Sequence, residues 1–209
     1  MARIVVTRTE GQADALVVRL RSLGHEVRHV PLIAIVPTGD EPIDVTPYDW
    51  VVLTSANASR ELRRRMTGLP ARVAAIGAAT AAAFGGADLV AEPSTQEGLL
   101  ATLPSAPGRV LFAAAAGARG LLPDTLAADV VTLYRTVELD TPIPEGTELV
   151  VVASPSAASA LATTTTTIPV VSIGPETSRV ARARGLRVAA EAVTHDLDGL
   201  VAAVAAIAP

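Results

Sequence analysis

Four stretches of the sequence place small, hydroxyl-bearing or glycine residues where a predicted strand gives way to a predicted helix. They are Thr54-Ser55-Ala56-Asn57, Gly77-Ala78-Ala79-Thr80, Ser154-Pro155-Ser156 and Gly174-Pro175-Glu176-Thr177. Pro155 and Pro175 suit the first helical position, with Ser154 and Gly174 as caps. The backbone N–H groups at such helix starts attract carboxylates and phosphates. Helix capping alone would explain any one of these turns, but four of them predict a site for an anionic ligand.

Two arginines and a tyrosine could add side-chain donors to such a site. Arg8 follows the first predicted strand, and Arg119 opens the helical stretch in the corresponding segment further along the chain. A guanidinium can hold a carboxylate through two parallel hydrogen bonds, although a solvated arginine explains both residues equally well. Tyr134 lies at the end of a predicted strand in the segment LYRT. Its phenol could donate a proton to a ligand, or it could simply pack in the core with its hydroxyl satisfied.

Several common kinds of chemistry are excluded by the residues present. There is no cysteine and no lysine, which rules out disulfides, thiolate zinc sites and Schiff-base catalysis. His25 and His29 are four residues apart, but in a strand-like stretch with no third ligand nearby, so no metal site is predicted. The chain contains no dinucleotide-binding glycine fingerprint, phosphate-binding P-loop, serine nucleophile elbow or zinc-protease motif.

The elements that position these residues occur twice in the chain. Strand and helix patterns recur in the same order at offsets close to 100 residues. The paired segments are 3–30 with 109–137, 48–62 with 148–161, 71–84 with 169–181, and 94–103 with 194–204. Such a repeat predicts two similar lobes, and we expect them to face a shared cleft.

Each half alternates short apolar strands with helical patterns, which is typical of βαβ units. The strands at 51–54 and 150–153 are apolar on both faces, as in a parallel sheet covered by helices on both sides. Two polar, proline-containing stretches, 36–47 and 136–147, look like connections. The predicted fold is therefore α/β: two similar lobes, each a parallel sheet flanked by helices, joined by a two-stranded connection.

The composition of the chain limits the kinds of partner that we expect the protein to have. The net charge is −4 and only 2% of residues are aromatic, so neither a phosphate-tracking surface nor base-stacking platforms are expected, and nucleic acid is not a predicted partner. No apolar run approaches the ~20 residues of a membrane span, and the start of the chain does not resemble an export signal. We expect a cytoplasmic protein that does not enter the membrane, and nothing in the sequence requires more than a monomer.

Short motifs at these junctions resemble those of one enzyme family. In chain order they are TSANA (54–58), LYRT (133–136), SPSA (154–157) and IGPET (173–177), the last followed by GLRV (185–188). As an ordered set that runs over essentially the whole chain, they are similar to the uroporphyrinogen-III synthase family. The resemblance implies two lobes in which the ends of the chain pack together, with residues 1–36 and 138–209 in lobe 1 and 40–135 in lobe 2.

The resemblance also implies a lyase reaction in tetrapyrrole (heme and cobalamin) biosynthesis. The substrate would be hydroxymethylbilane, also called preuroporphyrinogen, a linear tetrapyrrole with eight carboxylates. It would lose water and close to uroporphyrinogen III with ring D inverted, and no cofactor would be needed. We expect the substrate to be handed over by hydroxymethylbilane synthase.

The resemblance assigns roles to residues of this sequence. Tyr134 would assist departure of the hydroxyl group, and since a phenol is a weak acid its contribution would be helpful without being indispensable. The residues expected to bind substrate are Arg8, Thr54, Ser55, Asn57, Thr80, Arg119, Ser154, Ser156 and Thr177. The loop AAAAGARG (113–120) departs from the turn of many relatives, which puts the position of Arg119 in doubt.

Two functions from other classes compete with this one. A non-enzymatic bilobed protein that binds a small polyanion would use the same turns, without turnover and without a special role for Tyr134. A nucleotide-dependent enzyme would share the doubly wound pattern, but the missing glycine fingerprint and the absence of lysine count against it.

Overall fold

The structure is a computed structural model that describes residues 1–164 and 167–208. The chain divides into two compact units. Unit 1 combines residues 1–34 with 137–209, and unit 2 comprises residues 35–136. Each unit contains its own sheet and its own helices, and each is described separately below.

The strands and helices are short and alternate along most of the chain. The strands are β1 Arg3–Val6, β2 Glu26–His29, β3 Ile33–Pro37, β4 Ile43–Asp44, β5 Trp50–Leu53, β6 Met66–Thr67, β7 Val73–Ala75, β8 Leu89–Val90, β9 Val110–Ala115, β10 Asp129–Glu138, β11 Leu149–Val152, β12 Val170–Ser172 and β13 Val188–Glu191. The helices are α1 Asp14–Ser22, α2 Ala56–Arg65, α3 Ala78–Phe84, α4 Gln96–Thr102, α5 Leu121–Leu126, α6 Pro155–Thr164, α7 Pro175–Ala183 and α8 Leu197–Ile207.

The sheet of unit 1 has the strand order β13-β12-β11-β1-β2, and every neighbouring pair is parallel. Alternate residues of its strands pack on opposite faces. Ile4 packs with α1 and α8 on one face, and Val5 packs with α6 and α7 on the other. All four residues of β11 are buried, because both faces of this strand are covered.

The sheet of unit 2 has the order β3-β10-β9-β5-β7-β8. Within it, β10, β9, β5, β7 and β8 are parallel to one another. Leu53 of β5 packs with Leu62 of α2 on one face, while Val52 packs with Leu99 of α4 and Leu122 of α5 on the other. The short strands β4 and β6 pair separately from this sheet.

The chain crosses between the units twice, at residues 34–35 and 136–137. The crossings lie in β3 and β10, which are neighbours in the sheet. The Thr38 N–H donates to the Leu133 carbonyl at 3.0 Å, and the Leu139 N–H donates to the Leu32 carbonyl at 2.9 Å. Since the partners run in opposite order along the two strands, the pair is antiparallel. It forms the predicted two-stranded connection, but its strands overlap the polar stretches 36–47 and 136–147, which looked like connections in the sequence, only at residues 36–37 and 136–138.

The segments that repeat in the sequence occupy matching positions in the two sheets. The order β13-β12-β11-β1-β2 of unit 1 corresponds to β8-β7-β5-β9-β10 of unit 2. Each strand that the repeat pairs with another therefore lies in the same place in its own sheet. The predicted α/β class, with two parallel sheets flanked by helices, is confirmed.

Candidate functional site

In each unit the carboxyl ends of the parallel strands lie along one edge of the sheet. The direction of winding reverses once, between β1 and β11 in unit 1 and between β5 and β9 in unit 2. The crevice beyond the strand ends at such a reversal is where open α/β sheets bind their ligands. The candidate site is therefore formed, within each unit, by the turns after these strands and their neighbours.

Tyr134 lies in β10 and reaches this edge of unit 2. Its side chain is 6% exposed and packs in the core that includes Leu62. The pairing of β10 with β9 shifts register between Thr132 and Tyr134, so that Tyr134 pairs with Ala115 at the end of β9. Such irregularities redirect a side chain from the regular alternation of a strand. The phenol oxygen lies 3.0 Å from the Ser55 Oγ, at the turn after β5.

Ser55 makes two contacts with one hydroxyl group. It is the residue before α2, where its Oγ accepts a hydrogen bond of 3.1 Å from the Ala58 N–H. A serine hydroxyl has one donor and two lone pairs, so it can still either donate to Tyr134 or accept from it. If Ser55 donates, the phenol proton of Tyr134 is directed to a third group. This pair is the arrangement at the edge of unit 2 that is best suited to proton transfer.

The other predicted site residues of unit 2 differ in burial and in hydrogen bonding. Thr54 is half-buried and directly follows β5. Asn57 is in the first turn of α2, where its Oδ1 accepts a 2.9 Å hydrogen bond from the Arg60 guanidinium. Thr80 is buried, and its backbone carbonyl accepts a 2.9 Å hydrogen bond from the Ser59 Oγ. Contact between these three side chains and a ligand stays a prediction.

The Arg119 guanidinium forms a salt bridge with a carboxylate of the same chain. It lies in the exposed turn after β9, and its Nη2 donates to the Glu97 Oε1 at 2.7 Å. Glu97 is in the first turn of α4. Its own backbone N–H, and then the Arg119 guanidinium, lower the pKa of the Glu97 carboxyl. Glu97 therefore stays charged near neutral pH, and a substrate carboxylate would have to compete with it for Arg119.

The turn after β1 provides the cationic part of the edge in unit 1. Thr7 is buried, and its Oγ1 donates to the Val151 carbonyl of the neighbouring strand at 3.0 Å. Arg8 is half-buried, and its Nε donates to the Gln12 carbonyl at 2.8 Å. This hydrogen bond holds the guanidinium over its own turn, beside the reversal between β1 and β11.

The hydroxyl turns of unit 1 resemble those of unit 2 in their capping. The Ser154 Oγ accepts a 3.1 Å hydrogen bond from the Ala157 N–H at the start of α6, as predicted for a cap. Ser156 is half-buried in the first turn of the same helix. Thr177 is 3% exposed in the first turn of α7. Substrate binding by these three residues, like that by Arg8, stays a prediction.

Three residues at these edges were not among the predicted site residues. His29, considered only as a metal ligand, ends β2 and bonds to the Arg8 carbonyl. Ser94 lies against Gly77, where a Cβ would be 2.9 Å from its Oγ, and the His195 ring lies similarly close to Gly174. A sequence signal for the last two was the repeat itself, because Ser94 precedes α4 and His195 precedes α8, and these two helices are paired by the repeat.

The family model described as uroporphyrinogen-III synthase HemD matches residues 14–202. The chain belongs to the uroporphyrinogen-III synthase family. The match covers most of both units, and it confirms the resemblance predicted from the short motifs. Because uroporphyrinogen-III synthases are enzymes, the match gives no support to a non-enzymatic binding protein.

Two relatives show how far the similarity extends. A uroporphyrinogen-III synthase from Synechococcus elongatus is 32% identical over 128 residues, which is 52% of this chain and 48% of the relative. The match therefore spans about half the length of that relative. A crystal structure of mutant uroporphyrinogen III synthase from the bacterium Thermus thermophilus covers 97% of this chain and 96% of its own, with 17% identity and a TM-score of 0.62. At that identity the likeness concerns the fold.

Two negative findings concern metal ions and membranes. Within residues 1–164 and 167–208, no group of three or more histidine, aspartate or glutamate side chains is placed to hold a metal ion. Over the same part of the chain, no helix is both long enough and apolar enough to cross a membrane.

Proposed function

We propose that the chain is a uroporphyrinogen-III synthase, a lyase that converts hydroxymethylbilane into uroporphyrinogen III. The substrate loses water, its ring D is inverted, and the macrocycle closes. The observation that carries this proposal is the hydrogen bond between Tyr134 and Ser55 at the carboxyl edge of unit 2, in a chain of this family. It gives the edge a proton donor next to turns that suit a carboxylate-rich ligand.

The first step requires a leaving group and an electron source. A pyrrole nitrogen of the substrate supplies electrons, the terminal C–O bond breaks, and the departing hydroxyl takes a proton to leave as water. Tyr134 is the proposed proton donor, with Ser55 donating to the phenol oxygen. That second hydrogen bond stabilises the phenolate that forms transiently, which is how a weak acid can assist the step.

The later steps depend on geometry more than on reactive groups. The azafulvene-type cation is attacked by the substituted carbon of ring D to give a spiro intermediate, which fragments and recloses with that ring inverted. Loss of a proton restores the aromatic pyrrole, and this proton can return to the Tyr134 phenolate. Holding a flexible chain in one reactive geometry accounts for a large share of such catalysis.

Binding of the eight carboxylates is the proposed task of the turns. Helix-start N–H groups and hydroxyls can hold carboxylates at the capped turns of Ser55 and Ser154. Arg8 adds a charged donor in unit 1. The remaining predicted contacts are Thr54, Asn57, Thr80, Arg119, Ser156 and Thr177. Because the pyrrole nitrogens supply the electrons, the proposed reaction needs no metal or cofactor.

Three further expectations accompany the proposal. Hydroxymethylbilane synthase would supply the substrate, since its product is short-lived and closes spontaneously to the type I isomer. The protein would act as a monomer in the cytoplasm.

The experiment that tests the proposal is an isomer assay. Freshly generated hydroxymethylbilane is mixed with the protein, the products are oxidised, and the type I and type III porphyrins are separated by chromatography. We expect mainly type III, against type I in a protein-free control, with no change when EDTA is added. Type I at the uncatalysed rate from folded protein would refute the function. Activity lost with EDTA and restored by zinc or magnesium would refute the cofactor-free reaction.

A further inference from the structure

The turn between β1 and α1 is held from several directions. The Thr7 N–H donates to the Val151 carbonyl at 3.2 Å, which extends the β1–β11 pairing by one residue. Within the turn, the Gln12 N–H donates to the Thr9 carbonyl at 3.1 Å, and the Arg8 Nε donates to the Gln12 carbonyl at 2.8 Å. The last two bonds fold the turn upon itself, while the Thr7 N–H and the Thr7 hydroxyl tie its start to β11.

His29 ties the same turn to the strand on the other side of β1. It is the last residue of β2, where it pairs in parallel register with Val6. Its Nε2 lies 2.7 Å from the Arg8 carbonyl. A carbonyl oxygen only accepts, so Nε2 carries a hydrogen and donates it. On the other side of the ring, the Glu10 carboxylate lies 3.8 Å from Nδ1 and is 86% exposed. Nε2 is therefore the ring atom that makes the short contact.

We propose that His29 is a positioning residue that holds the Arg8 turn and so fixes where the Arg8 guanidinium meets the substrate. The proposal rests on the proposed function, in which Arg8 binds a carboxylate of hydroxymethylbilane. The reason is geometric, because His29 donates a hydrogen bond to the backbone carbonyl of Arg8, whose side chain is proposed to bind the substrate. Without this hydrogen bond, Arg8 samples more positions in the free protein. The entropy lost when substrate orders Arg8 then weakens binding.

One consequence can be measured without any substrate. The carbonyl that His29 holds belongs to the Arg8–Thr9 peptide bond, which trypsin can cleave. All 17 basic residues of the chain are arginine, so each tryptic cut reports on one arginine. The half-buried Arg8 and the buried Thr9 must open locally before cleavage. In His29→Ala we expect native-state cleavage after Arg8 to accelerate about fivefold, the loss expected for one hydrogen bond.

Controls within the same digest separate local from global effects. Cleavage after Arg119, in the exposed turn of unit 2, should keep its wild-type rate, because that turn makes no use of His29. In His29→Gln, the side-chain amide can donate to the same carbonyl and should return cleavage after Arg8 close to the wild-type rate. Faster cleavage at both arginines would indicate general unfolding and would contradict the proposal.

The kinetic part of the experiment links the turn to the substrate. With wild-type protein that forms the type III isomer, we expect His29→Ala to raise KM about fivefold with kcat nearly unchanged, and His29→Gln to restore KM. A loss of folded protein would instead lower kcat and leave KM alone. Unchanged cleavage after Arg8 in His29→Ala, or faster cleavage with a wild-type KM, would overturn the proposal. Wild-type protein that yields only type I would refute the proposed function, and the cleavage rates would still decide whether His29 holds the turn.

Discussion

Units 1 and 2 have sheets with the same strand order, yet they carry different chemistry at corresponding places. In both units, a serine after the strand beside the winding reversal caps the following helix. The Ser55 Oγ accepts from Ala58 N–H and the Ser154 Oγ from Ala157 N–H, each at 3.1 Å. The turn after the strand on the other side of the reversal differs: unit 1 has Arg8, with His29 on its backbone.

Unit 2 has a different arrangement at the same place. The turn after β9 is rich in alanine, and its arginine, Arg119, is bonded to Glu97. The group that reaches the edge is instead the hydroxyl of Tyr134, from the next strand. At this place unit 1 therefore offers a cation, and unit 2 offers a hydroxyl group, which is the proposed proton donor.

This difference is physically reasonable for a duplicated chain. The buried strands and capped helices of both units must keep their packing, because changes in a core are costly. The turns at the strand ends contribute little to this core packing, so their residues can change without unfolding the unit. A duplicated fold can thus keep one architecture while its halves acquire different side chains at the strand ends, which we propose serve binding in unit 1 and proton transfer in unit 2.

The largest effect should come from the proton donor of unit 2. Tyr134→Phe removes the phenol hydroxyl and keeps the ring, so we expect turnover to fall about 100-fold, at the low end for a general acid, with product binding nearly intact. The measurement is the rate of type III formation, together with product titration by fluorescence. Turnover at the wild-type rate would remove Tyr134 from the mechanism and break the division between the units.

The next effect should come from the cation of unit 1. Arg8→Ala removes a charged donor, so we expect KM for hydroxymethylbilane to rise about tenfold or more while kcat changes little. The matched variant is Arg119→Ala in unit 2. It should raise KM by less than about threefold, since Glu97 competes for that guanidinium. Equal effects of the two variants would show that the units do not differ in this respect.

A smaller effect separates capping from catalysis. Ser55→Ala and Ser154→Ala each remove one helix cap, so both should lower the free energy of unfolding by about 1 kcal/mol in denaturant titrations. Only Ser55 is bonded to Tyr134. We therefore expect Ser55→Ala to lower kcat about fivefold as well, by one hydrogen bond, while Ser154→Ala leaves kcat near wild type. If both variants had the same kcat, the Ser55–Tyr134 hydrogen bond would play no part in turnover.

The sequence was informative wherever local patterns determine structure. The repeats correctly predicted two sheets of the same design, because strand and helix periodicities are properties of short segments. The cap at Ser154 followed from the residue type before Pro155. The family followed from short motifs in a fixed order.

Contacts between distant residues could not be predicted in the same way. Tyr134 and Ser55 are 79 residues apart, and their bond depends on a register shift in β10 that has no signature in the sequence. The pairing of Arg119 with Glu97 depends on how two turns of unit 2 meet. His29 was considered only as a metal ligand because its partner is a backbone carbonyl, which leaves no trace in residue types.

The smallest effect concerns the caps of two helices that the repeat pairs with each other, α8 in unit 1 and α4 in unit 2. In unit 1, the Asp196 carboxylate accepts from the Gly199 N–H at 2.8 Å at the start of α8, and in unit 2 the Thr95 hydroxyl accepts from the Gly98 N–H at 3.0 Å. The Gly199 N–H, and then the Thr194 hydroxyl, lower the pKa of Asp196 below its usual value. Its contribution to stability is therefore complete above about pH 4 and is lost as the pH falls through the lowered pKa.

Native-state amide hydrogen exchange between about pH 5 and about pH 3 tests this difference. After correction for the intrinsic exchange rate, protection of the Gly199 amide should fall with pH more than that of the Gly98 amide. The Thr95 hydroxyl that accepts from Gly98 does not titrate, so acid reaches this cap only through the neighbouring Glu97 carboxylate. In Asp196→Asn the side chain still accepts the hydrogen bond but has no proton to gain, so the pH dependence at Gly199 should shrink to the part that comes from Asp198 in the same turn. If Gly98 loses protection in parallel with Gly199, acid acts on the whole fold, and the two caps do not differ in the way their side chains predict.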